Sequence, residues 1–161
     1  MIVVQIVRDF QHIDVCLSKL EKLVRAICNR FKLSAATISI AIVDNAQMRK
    51  VSTRFLGRKG VSDCLSFDLS DDKLAESGKS FEVIVNGEKA VKEAHLRGHS
   101  SEAELALYIT HGLLHNFGFD DSTQAQSKKM HDTEDEILQQ FGYGLLYNKN
   151  ARAQEHNSTR T

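Results

Sequence analysis

The stretch Thr110-His111-Gly112-Leu113-Leu114-His115-Asn116-Phe117-Gly118-Phe119-Asp120-Asp121 gathers the residues of this chain best suited to chemistry. His111 and His115 stand four apart, so on a helix their rings share one face and reach one point. Gly118 supplies the left-handed residue that ends a helix and reverses the chain. Past that reversal, Asp120 and Asp121 can swing back toward the two imidazoles. Two nitrogens from a stiff helix and a carboxylate oxygen from the turn leave a fourth position for water. That is the pattern of a catalytic zinc site and not of a closed structural one. Asp121 is the expected third ligand, and Asp120 is expected to orient a ligand from behind. Plainer readings stay open: Asp121 before Ser122-Thr123-Gln124 would also cap a helix, and Asp120 suits a turn. His131, further along, suits a solvated or helix-packing face.

These residues need elements to position them. Leu113, Leu114 and Phe117 set the histidine helix against a core, and Ser101-Glu102-Ala103-Glu104 has the form of a capping box that opens it. Residues 2–7 are β-branched and suit a strand. Ile13, Leu17, Leu20, Leu23, Val24, Ile27 and Phe31 follow helical spacing over about 14–31. Residues 37–43 form a second strand, closed by Asp44, which with Gln47 makes a capping box for a helix running to about Phe55 and stopping near Gly57. Short strands are expected at 64–67 and 81–85, and helices over about 87–97 and 122–141. The pattern predicts an α+β fold: a single small domain over 1–147, with a roughly four-stranded mixed sheet packed against about five helices. Residues 148–161 are polar and aperiodic and are expected to be a disordered tail.

A chain of 161 residues, 42% hydrophobic and 26% charged, is that of an ordinary soluble domain. Its 21 basic and 21 acidic side chains cancel, which excludes a surface basic throughout, so any nucleic-acid contact must come from local clustering. One such cluster exists: Arg49, Lys50, Arg54, Arg58 and Lys59, with no acidic residue from Asn45 to Ser62. It reads either as a phosphate-tracking patch beside the metal or as a solvated helix face and loop. Cys16, Cys28 and Cys64 lack CxxC spacing and read as reduced core thiols of a cytoplasmic protein. No apolar run has the length of a membrane span, and the N-terminal residues read as a strand and not as a signal peptide.

The run from His111 to Asp121 resembles the signature HGxLHxxGxDH of the YbeY-type rRNA maturation endoribonucleases. Ile42-Val43-Asp44-Asn45 is similar to that family's strand end, and Phe55-Leu56-Gly57-Arg58 with Ser62-Asp63-Cys64-Leu65-Ser66-Phe67 is similar to its YRGK…TDVLSFP segment. Phe81-Glu82-Val83-Ile84-Val85 stands where the family has GD before a strand; Lys129-Met130 and Glu134-Asp135-Glu136-Ile137-Leu138 follow with family-like spacing. The resemblance implies an α+β fold with a zincin-like metal helix and one Zn²⁺ held by three histidines. It also implies a metal-dependent, single-strand-specific endoribonuclease of the cytoplasm, trimming chiefly the 3′ end of 16S rRNA and serving ribosome quality control. Its partners would then be rRNA and small-subunit ribosomal proteins. Carried over, His111 and His115 match the first two ligands, and Asp121 stands where the third histidine belongs. An anionic third ligand makes a harder ion such as Mn²⁺ more competitive. Arg49, Arg54, Arg58 and Lys59 would position the RNA backbone.

The chain departs from the pattern elsewhere. Leu56 occupies the position of the family's Arg, removing a planar phosphate donor. Glu82 and Phe81 replace the Asp and Gly of GD, and Val61 and Asp68 replace two prolines. The alternative is a diverged member that binds RNA or ribosome-associated partners without cutting. Zincin peptidases also place HxxxH on a helix, but they need the general-base Glu of HExxH, and Gly112 stands there.

Overall fold

The computed structural model describes residues 1–57, 61–71 and 78–144. The β-branched runs become strands β1 (Ile2–Arg8), β2 (Ala36–Val43), β3 (Cys64–Asp68) and β4 (Lys79–Asn86). The amphipathic runs become helices α1 (Leu17–Arg30), α2 (Asn45–Leu56), α3 (Gly87–Arg97), α4 (Ser101–Asn116) and α5 (Gln124–Gln140). The strands lie side by side in the order β1-β2-β4-β3. β1 and β4 run parallel to β2, and β3 is antiparallel to β4, so the sheet is mixed. This is the expected α+β domain. Among the described residues, no helix is long and apolar enough to cross a membrane.

Register decides which side chains meet the helices. Pairing Ile38 with Phe81, Ile40 with Val83 and Ile42 with Val85 sets one apolar row on a single face, because side chains alternate along a strand. Leu20, Leu23, Val24 and Ile27 of α1 and Leu105, Ile109 and Leu113 of α4 join that row in one buried cluster. Each such side chain contributes about 1.5–3 kcal/mol when taken fully from water. Val43, Leu65 and Ile84 point to the other face, where Met48 of α2 covers them.

Helix α4 is the centre of the fold, with every residue from Ala103 to Thr110 buried. Gly112 makes its approach to the sheet possible. A Cβ there would lie 2.7 Å from Val83 Cγ1, so any larger residue would push α4 away from β4. A Glu at this position would be driven into the sheet and not toward the histidines, which removes the peptidase base for a packing reason.

Helix ends match the expected chemistry with two shifts. The Asp44–Gln47 capping box is formed, and Gly57 ends α2 with φ +63°. Helix α4, however, is capped by Ser100, whose side chain accepts from the Ala103 N–H. The expected box beginning at Ser101 therefore does not form; Glu104 points inward instead. Helix α1 starts at Leu17, three residues after the expected 14, while Ile13 still packs into the core. Cys28 is buried and Cys64 half-buried, but Cys16 is exposed and so is no core thiol. The expected boundary at 147 and the tail 148–161 lie outside the described residues.

Candidate metal centre

Two backbone devices bring the histidine pair to a turn. Past the end of α4 the Phe119 N–H donates to the Leu114 carbonyl at 2.9 Å, and Gly118 takes φ +94°. The reversal brings the Phe119 carbonyl under His115, whose Nδ1 lies 3.0 Å from it. Helix α5 then packs back on α4 through buried Met130, Ile137 and Leu138 and carries Glu134 into the interior. Glu134 Oε1 lies 2.9 Å from His111 Nδ1. A buried carboxylate must be compensated, and this one is.

These contacts fix both tautomers. A carboxylate and a carbonyl only accept, so each Nδ1 carries a proton, and each ring in its neutral form presents the Nε2 lone pair. The two Nε2 atoms are 3.1 Å apart. Asp121 Oδ2 lies 3.9 Å from the Nε2 of His111 and 4.0 Å from that of His115. These three atoms converge on one point, where a proton shared between the two Nε2 atoms or a bound cation offsets their mutual repulsion. Donors bound at about 2.0–2.1 Å in a tetrahedral site lie about 3.3 Å from each other, close to these separations. The donor set of His111, His115 and Asp121 therefore fits a divalent ion.

The electrostatics point the same way. Burial alone would push His111 down, but the Glu134 hydrogen bond and charge, with Asp121 and Asp63 adding, hold its proton affinity above the usual histidine value. Burial would push Glu134 up, but hydrogen bonds from His111 and His131 hold it below the usual carboxylate value. An anion behind the ring makes the opposite nitrogen a better ligand. Cys64, nearby, is pushed up to about 12 by burial, with Asp63, Glu134 and Asp121 adding to it. It stays a thiol.

Asp121 does not cap α5. Thr123 does, its side chain accepting from the Gln126 N–H while Gln126 returns to the Thr123 backbone. Asp120 accepts from the Asp121 N–H at 2.7 Å and from the Ser122 hydroxyl at 2.8 Å, so it shapes the turn that presents Asp121. The ring-orienting contacts expected of Asp120 come instead from Glu134 and the Phe119 carbonyl. His131 is neither solvated nor simply packed: its ring lies parallel to that of His111, centroids 6.2 Å apart, with Nδ1 3.2 Å from Glu134 Oε1. His111, His131 and Glu134 form a second group of metal-type atoms. They differ from the first group in that one carboxylate, Glu134, lies against a nitrogen of both rings.

Among the described residues, no hydrogen bond or ion pair joins Arg49 or Arg54 to these donors. Arg49 and Arg54 are exposed on α2, and Arg54 lies over the Phe55 ring at 5.3 Å. Arg58 and Lys59 lie outside the described residues. The end of α2 nonetheless reaches the edge of the site: Phe55 meets Phe67 edge-on at 5.9 Å, and the Phe67 carbonyl accepts from Asn116 Nδ2 at 3.5 Å. Leu56 is 43% exposed. Glu134, in the family-like segment 134–138, is the residue here to which the sequence assigned no role at the site. Its signal was a carboxylate on the same stripe as Met130, Ile137 and Leu138.

Fold and site together define a class: an α+β protein with an open, metal-type donor group at the end of a central helix. The family model for endoribonuclease YbeY matches residues 5–142, and the chain belongs to that family. It is 30% identical to the endoribonuclease YbeY of Bacillus licheniformis over 78% of this chain and 85% of that protein. It is 32% identical to that of Syntrophomonas wolfei over 70% of this chain and 78% of that protein. The solution structure of TM1509 from Thermotoga maritima has the same fold, with a TM-score of 0.59 at 19% identity over 86% of this chain and 89% of that one.

Proposed function

We propose that this chain is a metal-dependent endoribonuclease that cuts single-stranded RNA. We place it in rRNA maturation at the 3′ end of 16S rRNA and in ribosome quality control in the cytoplasm, with rRNA and small-subunit ribosomal proteins as partners. The observation that carries the chemistry is the convergence of three ligand-type atoms from His111, His115 and Asp121. The RNA substrate follows from the relatives named endoribonuclease YbeY.

His111, His115 and Asp121 hold the ion, Zn²⁺ in the first instance and Mn²⁺ as the competitor that an anionic ligand favours. Such an ion polarises a phosphoryl oxygen and acidifies water near neutral pH. Glu134 and the Phe119 carbonyl hold the two rings in the tautomer that leaves Nε2 a donor. Asp120 holds the turn so that Asp121 faces the rings, and Arg49, Arg54, Arg58 and Lys59 track the RNA backbone. The exposed Leu56 favours a second reading, a diverged RNA- or ribosome-binding protein that no longer cuts.

Incubating the purified chain with a single-stranded RNA under added Zn²⁺ or Mn²⁺, beside His111→Ala, separates the two. Metal-dependent cleavage lost in the variant supports the nuclease. Salt-dependent binding without cleavage under either ion overturns it in favour of the binder.

A further inference from the structure

Behind His111 lies a cavity of ≈180 Å³ whose walls include Asp63, Arg97, Tyr108, His111, His131 and Glu134. Its charges are almost all engaged. Asp63 pairs with Lys89 at 2.5 Å, and Glu134 holds His111 and His131. Arg97 is different. It is the last residue of α3, and its guanidinium is gripped on two sides: Nε by Glu93 at 3.5 Å and Nη1 by Glu104 at 3.2 Å. Glu104 is fully buried, and its other oxygen is held by His99 Nε2. Among the described residues, Arg97 Nη2 has no protein partner. The side chain is thus held in one geometry before any ligand arrives, so little side-chain freedom is lost on binding. A planar cation with two unengaged N–H donors, in a cavity that shares a wall with a metal ligand, suits an anionic oxygen.

We propose that Arg97 binds a backbone phosphate of single-stranded RNA in this cavity, adjacent to the phosphate held at the His111–His115–Asp121 centre. The proposal rests on the nuclease reading above. Arg97 is then a substrate-binding residue, Glu93 and Glu104 are the groups that position it, and the RNA passes over the His111 side of the turn.

The test is equilibrium binding of a short, fluorescein-labelled single-stranded RNA to the full chain as purified, over a range of salt, with cleavage kinetics on the same RNA. Arg97→Ala should weaken binding about tenfold, the scale of one charge-assisted hydrogen bond. It should also reduce the slope of log K against log salt by about 0.7, one single-strand phosphate contact. KM should rise more than kcat falls, and Arg97→Lys should recover part of the affinity. Because Arg97→Ala leaves Glu104 short of a partner, thermal melts accompany it, and Glu93→Gln supplies an independent arm. Loosening the Glu93 grip should raise KM for the RNA when Arg97 is present more than it does when Arg97 is Ala. Unaltered affinity and salt slope in Arg97→Ala and Arg97→Lys, with wild-type chain binding RNA, overturn the Arg97 assignment alone. So does an effect of Glu93→Gln on KM that is the same with and without Arg97. A wild-type chain that neither binds nor cuts RNA overturns the nuclease reading itself.

Discussion

Helix α4 carries a polar cluster near each end, and the two are satisfied in opposite ways. In its first turns Glu104 is fully buried, with one oxygen on Arg97 and the other on His99. Burial, with the Glu104 carboxylate close by, pushes the Tyr108 phenol above its ordinary range, so it stays neutral. In the last turns His111 and His115 spend their Nδ1 protons on Glu134 and Phe119 and turn their Nε2 atoms toward each other and toward Asp121. In the first cluster a buried carboxylate is met from within the chain, by Arg97 and His99. The second needs something from outside. Helix α4 holds both because Glu104 and the two ring Nδ1 atoms are met by neighbouring elements, while the Nε2 atoms of His111 and His115 are left facing Asp121 at the turn.

The largest expected effect comes from His111→Ala. It should abolish retention of a divalent ion and cut RNA cleavage by at least ~10³-fold, the scale of losing a group that stabilises transition-state charge. Metal analysis and single-turnover cleavage read it; cleavage within tenfold of wild type would erase the contrast between the two clusters. Next comes Glu104→Ala, which breaks a buried pair and should cost ~3–5 kcal/mol in urea denaturation while the protein that remains folded keeps its metal. Loss of metal without loss of stability there would mean the two ends are not separable.

Glu134→Gln should weaken metal affinity 10–100-fold, as expected for a partner behind a ligating ring. The same pair sets a pH window in the metal-stripped chain. Glu134 titrates below its ordinary 4.5 in the fold, so its stabilisation is present above 4.5 and is lost as pH falls through the lower folded value. His111 titrates above 6.5 in the fold, so its stabilisation is present below 6.5 and is lost as pH rises through the higher folded value. Melting temperature against pH should therefore show a plateau between about 4.5 and 6.5 with a fall on each side, and Glu134→Gln should flatten it. The smallest effect belongs to Asp120→Ala. Asp120 holds the turn and touches neither ring, so metal affinity should fall by less than about tenfold. A larger loss would give Asp120 a direct part in the chemistry.

Much of this was legible in the chain. HxxxH followed by a glycine turn and two carboxylates locates the open cluster, because spacing on a helix and the left-handed glycine leave little freedom in where those groups go. The end of α2 was equally legible, since Asp44, Gln47 and Gly57 form a complete cap at each terminus. The start of α4 was not, because Ser100 and Ser101 can each cap and the choice falls to whichever lets Glu104 turn inward to Arg97 and His99. Nor was the capping residue of α5, where Asp121, Ser122 and Thr123 all qualify. Thr123 wins because Gln126 stands three residues on to complete its box, which leaves Asp121 unclaimed by any helix end. Glu134 and Arg97 were hidden for another reason: their roles depend on α5 and α3 packing against α4, contacts that no local pattern encodes.

Asp121 therefore carries the account, and the metal content of the chain purified without added metal tests it most directly, with Asp121→Asn and Asp121→His measured alongside. The account predicts about one divalent ion per chain in the wild type, the same in Asp121→His, and close to none in Asp121→Asn. Undiminished metal in Asp121→Asn, or none in the wild type, would contradict it.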